Sequence, residues 1–184
     1  MTGATQSRAV ANPWLAMALN NAWANATLYG ALSGMGEAEF AAPRPGFFPS
    51  LKSTLNHIWL VDLYYLDSLE EGGAGRGVFD RPEIASIPKL AAAHSETDMR
   101  LAAFCRGLTD ETLRAERVTD RADGPVSEEV ASVLLHLFQH QIHHRGQAHS
   151  MIADAGIAPP QLDDFHLRYG RVPSAQAYFG EETS

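Results

Sequence analysis

The stretch His136-Leu-Phe-Gln-His140-Gln-Ile-His143-His144-Arg145-Gly146-Gln147 decides the reading of this chain. It sets four of the eight histidines within nine residues, in a segment whose apolar residues recur at helical spacing. On a wheel advancing ~100° per residue, Val133, Leu137, Ala148 and Met151 share one side, and His140 and His144 fall among them. His136 and His143 lie roughly 60–100° round from that face, and His149 points nearly away from it. Side chains at i and i+4 are ~5–6 Å apart at Cβ, so two imidazoles so spaced can close on one ion. A lone buried imidazole needs only ordinary hydrogen-bond partners. Two on one apolar face need two sets of them, and a shared metal satisfies both. Such an ion needs a third ligand from elsewhere, and a catalytic one keeps a fourth position for water or substrate.

Working outward, Ser127 can cap this helix, with Glu128 and Glu129 in its first turn, where the dipole favours acids. The helix is expected to run to about residue 155, where Gly156, Pro159 and Pro160 end it; that is ~40 Å. Upstream, Asn12-Pro13 reads as an N-cap followed by a first-turn proline, opening a helix over about 13–33 that Gly34 and Gly36 stop. Ser50 can cap a second helix over about 51–70, with Leu51, Leu55, Ile58, Tyr65 and Leu69 as its stripe. Asp62 sits in that stripe, and His57 lies about 100° from its centre. Pro88 can open a third helix ending near Arg106-Gly107, with His94 and Thr97 on its inner face. The segments 34–50, 71–87 and 109–126 are rich in glycine, proline or polar residues and read as loops.

Four long amphipathic helices without a strand pattern predict an all-α, four-helix bundle. The long second and third connections can cross the bundle, so simple up-down-up-down order is not required. One domain over residues 1–184 suits the length, with a C-terminal tail from about residue 161 packing back through Phe165, Tyr169 and Tyr178.

Composition narrows the function. The apolar fraction of 45% and charged fraction of 20% are ordinary for a globular chain. A net charge of -8 argues against nucleic-acid binding. No run of 18 apolar residues offers a membrane span, and residues 1–12 lack a signal-peptide core. The single cysteine, Cys105, rules out a disulfide framework and a Cys-rich zinc site. It reads as a small buried residue, and a cytoplasmic location is expected.

The His140–His144 spacing matches a zincin helix, but Gln141 stands where that motif has its glutamate. An amide cannot serve as the general base, which argues against zincin-type peptide hydrolysis. Candidates for the third ligand are His57, His94 and Asp62, and the wheel favours His94 or Asp62, which lie on inner stripes.

Asn56-His57-Ile58-Trp59 on a helix after a Pro/Gly loop, with His140-Gln-Ile-His-His144-Arg145-Gly146-Gln147 near the end, resembles the DinB/YfiT-like family over residues 12–163. That resemblance implies an up-down-down-up bundle, often a homodimer, and a metal held by three histidines. They map to His57, His140 and His144, which overrides the wheel preference; His136 and His143 are not carried over. It also implies chemistry, because relatives include thiol-dependent transferases and a thiol-dependent maleylpyruvate isomerase.

The expectation is therefore a metal-dependent enzyme, with Zn, Ni or Fe as the divalent transition metal. It transfers a low-molecular-weight thiol to a small-molecule electrophilic substrate. Two alternatives stand beside it. One is hydrolysis by metal-bound water, and the other a non-catalytic, metal-stabilised stress-response module in which the ion contributes folding energy. Arg145 reads as a salt bridge to a neighbouring helix, and Gln147 as a residue that orients a ligand or His136. The Trp14–Trp23 face of the first helix is a candidate dimer surface.

Overall fold

The computed structural model describes residues 12–179. Four long helices dominate: α1 Pro13–Ala31, α3 Leu51–Leu69, α4 Ile87–Arg106 and α6 Val130–Asp154. Short helices α2 Glu37–Phe40, α5 Asp110–Arg114 and α7 Pro173–Gln176, a 3-10 turn at Gly75–Asp80 and a hairpin of β1 Glu116–Arg121 and β2 Gly124–Glu129 complete the chain. The helix starts follow cap chemistry. The Asn12 side chain accepts from the Leu15 amide ahead of Pro13, and the Ser50 side chain accepts from the Ser53 amide.

Helix directions follow from which halves share a core. Leu15–Ala24 on α1 packs with Val61–Leu69 on α3, Leu101–Cys105 on α4 and Val130–Phe138 on α6. The other ends, around Leu28, Leu55, Leu90 and Met151, form a second apolar cluster. So α1 and α6 run one way and α3 and α4 the other, which is up-down-down-up order. Val133, Leu134, Leu137 and Met151 are all buried, as the wheel requires.

Only the α3–α4 connection crosses the bundle, because only those consecutive long helices are parallel. Its return along α3 is held where Asn56 Nδ2 donates to the Ile84 carbonyl (3.0 Å) and the Ile84 amide donates to Asn56 Oδ1 (2.8 Å). The third connection, expected as a loop that can cross, instead stays at one end as α5 and the hairpin. Arg121 pairs with Gly124 around a turn at Ala122-Asp123, and Gly124 has φ +117°. This also corrects the start of α6. Ser127 pairs with Val118 inside the hairpin, and the helix begins at Val130 with Glu129 as N-cap. The tail does pack back: Phe165 is wholly buried, 5.5 Å from the Trp23 ring, whereas Tyr169 is exposed. Trp23 therefore fills the protomer's own core and is not available as a dimer surface. No helix among the described residues is long and apolar enough to cross a membrane.

Between the two apolar clusters lies a layer of buried polar side chains drawn from all four long helices. Arg145 on α6 donates from Nη1 to Asn21 Oδ1 and, at 3.0 Å, to Asn25 Oδ1 on α1. Asn21 Nδ2 donates to Asp98 Oδ1 on α4 (2.7 Å), and His94 Nε2 donates to Asp62 Oδ2 on α3 (3.0 Å). Arg145 thus ties α6 to α1 through amides, where the sequence suggested a salt bridge. Removing a buried cation leaves Asp62 and Asp98 without its charge, and such losses cost about 3–5 kcal/mol. Arg145→Ala is expected to lower the unfolding free energy by about that amount in urea titrations, with helical content retained in the folded baseline.

Candidate metal site

The site begins with register. Helices α3 and α6 pack antiparallel, with Thr54 against Met151 at one end and Tyr65 against His136 toward the other. His57 therefore meets His140 and His144. The three rings lie with centroids 4.9 Å (His57–His140), 4.6 Å (His57–His144) and 4.4 Å (His140–His144) apart. One nitrogen from each falls within 4.8 Å of the other two.

His57 Nε2 and His140 Nε2 approach to 3.0 Å. Two nitrogens bound tetrahedrally to one zinc ion at ~2.0–2.1 Å sit about 3.3 Å apart, close to that spacing. His144 Nδ1 donates to Gln147 Oε1 at 2.8 Å, which leaves its Nε2 with the free lone pair. Gln147 Nε2 in turn lies 3.1 Å from His143 Nε2, so Gln147 orients His144 and not His136. His140 Nδ1 is buried without a hydrogen-bond partner among the described residues.

The rings are held neutral, as ligands must be. Burial, and next the proximity of His144, lowers His57 to about 4. Burial first, then His144, His57, His136 and His143, lowers His140 to about 3. Burial also lowers His144, against the Gln147 hydrogen bond. Three neutral imidazoles with converging lone pairs fit a divalent transition ion, and leave its charge uncompensated.

Phe48 covers the group, 4.4 Å from the His57 ring and 5.5 Å from the His144 ring, and Phe47 lies 6.2 Å from His144. Helical periodicity picks out neither, although two adjacent aromatics in a Pro/Gly loop are a signal that the loop packs on something.

The wheel's favoured third ligands go elsewhere. His94 and Asp62 join Asp98 in a second group whose atoms can also hold an ion. That group belongs to the polar layer, where Asn21 and Asn25 donate to Asp98. Burial works against a charge on His94, but Asp98 and Asp62 outweigh it and raise the pKa. Burial raises Asp98 to about 6, and lowers Arg145 to about 10. Of the remaining candidates, His136 is exposed beside Tyr65, His149 faces the Pro160 carbonyl at 3.0 Å, and Cys105 is buried with its thiol pushed up to about 12.

An up-down-down-up helical bundle with a three-histidine group between its second and fourth long helices defines the class. Residues 8–172 match the DinB family, and the chain belongs to it. It is 22% identical over 152 residues to Protein DinB of Bacillus subtilis (strain 168), covering 78% of this chain and 86% of that one. Its fold is similar to the crystal structure of a DinB-like protein from Bacillus cereus, with a TM-score of 0.59 and 18% identity over 76% of this chain and 90% of the other.

A pH dependence follows for the metal-free protein. Unfolded imidazoles take up protons near pH ~6.5, whereas folded His57 and His140 do so only near about 4 and about 3. Between those values the unfolded chain binds more protons, so stability falls as pH falls through that window. Urea midpoints measured from pH 7.5 to 4 are expected to drop more steeply for the wild type than for a His57→Gln, His140→Gln variant.

Proposed function

We propose that this protein is a metal-dependent enzyme that transfers a small thiol to an electrophilic substrate, with His57, His140 and His144 as the ligands of one divalent transition ion. The observation that carries the reading is the convergence of three neutral imidazoles from two helices, in a chain of the DinB family. An ion held there supplies the positive charge that favours the thiolate form of an incoming thiol, the nucleophilic form.

The chain's own residues do the rest. His57, His140 and His144 present lone pairs. Gln147 fixes the tautomer of His144, a role whose loss typically costs about 10–100-fold in metal affinity. Phe47 and Phe48 shield two of the rings from water. Cys105 is wholly buried and its thiol pKa is raised, so the sulfur nucleophile comes from outside the protein.

Metal analysis of protein prepared without a histidine tag tests the ligands. His57→Ala, His140→Ala and His144→Ala each lose most of the ion, Gln147→Ala binds it about tenfold or more weakly, and His149→Ala retains it. Full metal content in a His140→Ala, His144→Ala double variant overturns the site. In cobalt-substituted protein, an added thiol produces a sulfur-to-cobalt charge-transfer band. A bound ion that responds to no thiol removes thiol transfer and leaves hydrolysis by activated water as the reading.

The proposed assembly is a homodimer within one domain per chain. Leu135 and Ile142 are exposed seven residues apart on α6, on one side of the helix, and offer an apolar stripe to a second copy. Light scattering that reports the mass of a single chain at micromolar concentration overturns it.

A further inference from the structure

The three-histidine group has a neighbouring cavity of about 200 Å³ whose wall includes His140. Arg121 of β1 and Arg76 of the 3-10 turn also line it, together with Tyr64, Tyr65, His136 and Asp120. The whole chain carries a net charge of -8, so two guanidiniums meeting in one small cavity are not a by-product of a basic surface.

Neither guanidinium is neutralised. Arg121 Nη1 donates to the Tyr65 hydroxyl at 2.9 Å, and its carbon lies 5.5 Å from the Tyr65 ring centroid. That contact positions the group and uses one of its five donors. Arg121 makes no ion pair, and Arg76 makes neither a hydrogen bond nor an ion pair, among the described residues. Asp120 is the one acid in the wall, and its carboxylate packs toward Gly75. Glu128 acts on Arg121 and on His136 only from longer range. Within the wall, two guanidiniums face one carboxylate, so the lining is net positive, with Glu128 lessening that charge from outside it. A planar fork of donors with that charge matches a carboxylate.

We infer that this cavity is an oxyanion subsite, which takes the carboxylate of the small molecule handled at the three-histidine group. The inference rests on that group being the reaction centre, and it adds the substrate class: a compact monoanion with its reactive atom a few bonds from the carboxylate. The volume admits a fragment of that size. The carboxylate can belong to the thiol or to its acceptor, and the two sources are separable by experiment.

The first measurement needs no metal. Arginine side-chain nitrogen–proton resonances of the metal-free His144→Ala variant are followed as propionate is added, with propionamide as control. The expected result is a saturable shift at Arg121 with propionate only, weakened in Arg76→Gln, whose exposed side chain leaves the fold unaffected. No shift with propionate, or an equal shift with propionamide, overturns the subsite whatever the ion does. The second measurement uses cobalt-substituted protein. Should the thiol carry the carboxylate, 3-mercaptopropionate binds about tenfold tighter than 2-mercaptoethanol, and the Arg76→Gln change removes most of that advantage. Should the acceptor carry it, the two thiols bind alike and propionate binds to the protein already loaded with 2-mercaptoethanol. Failure of both patterns in cobalt-loaded protein overturns the link between cavity and centre.

Discussion

Arg145 is a guanidinium taken out of water, and the bundle is arranged around keeping it satisfied. Its partners Asn21 and Asn25 stand on α1, while the carboxylates that balance its charge stand on α3 and α4. Apolar side chains slide past one another at small cost, but a buried hydrogen-bonded charge tolerates little displacement. The polar layer therefore sets the height of all four helices, with one apolar cluster above it and one below. The same layer explains why α1 and α6 are neighbours although most of the chain separates them.

That height matters to the site. His144 precedes Arg145 on α6, and His57 lies five residues before Asp62 on α3. Holding Arg145 and Asp62 in the layer fixes where His144 and His57 stand along their helices. His140 stands four residues before His144 on the same face. The convergence of three imidazoles is thus a by-product of a register that the core already enforces.

Five histidines near the core show how environment divides one residue type. His57, His140 and His144 have each other and aromatic rings for neighbours, so burial drives them neutral and leaves lone pairs for an ion. His94 is more deeply buried, yet Asp98 and Asp62 raise its pKa and make it a proton donor within the layer. His136, at the rim against Tyr65, belongs to the cavity where Arg121 and Arg76 gather. A candidate ligand set, a buried hydrogen-bond donor and a pocket wall are built from residues that look alike in the sequence.

Much was legible without the structure. The period of the apolar residues and the caps at Asn12 and Ser50 determine four helices, since both depend on contacts only a few residues apart. The His140–His144 pair is local in the same sense, and the resemblance in Asn56-His57 and His140–Gln147 pointed to the third ring. What needed the tertiary structure was every choice between distant partners. The wheel placed His94 and Asp62 on inner faces correctly, but an inner face does not say which helix it meets, and they joined Arg145's layer instead. The hairpin was missed because its strands are polar and owe their pairing to α3, where Tyr64, Ser68 and Leu69 meet its backbone and Arg117. Phe47, Phe48, Arg76 and Arg121 come to the site on loops and a hairpin whose paths no periodicity encodes. Local periodicity records which side of a helix faces inward; only the packing of four such sides decides what each residue meets there.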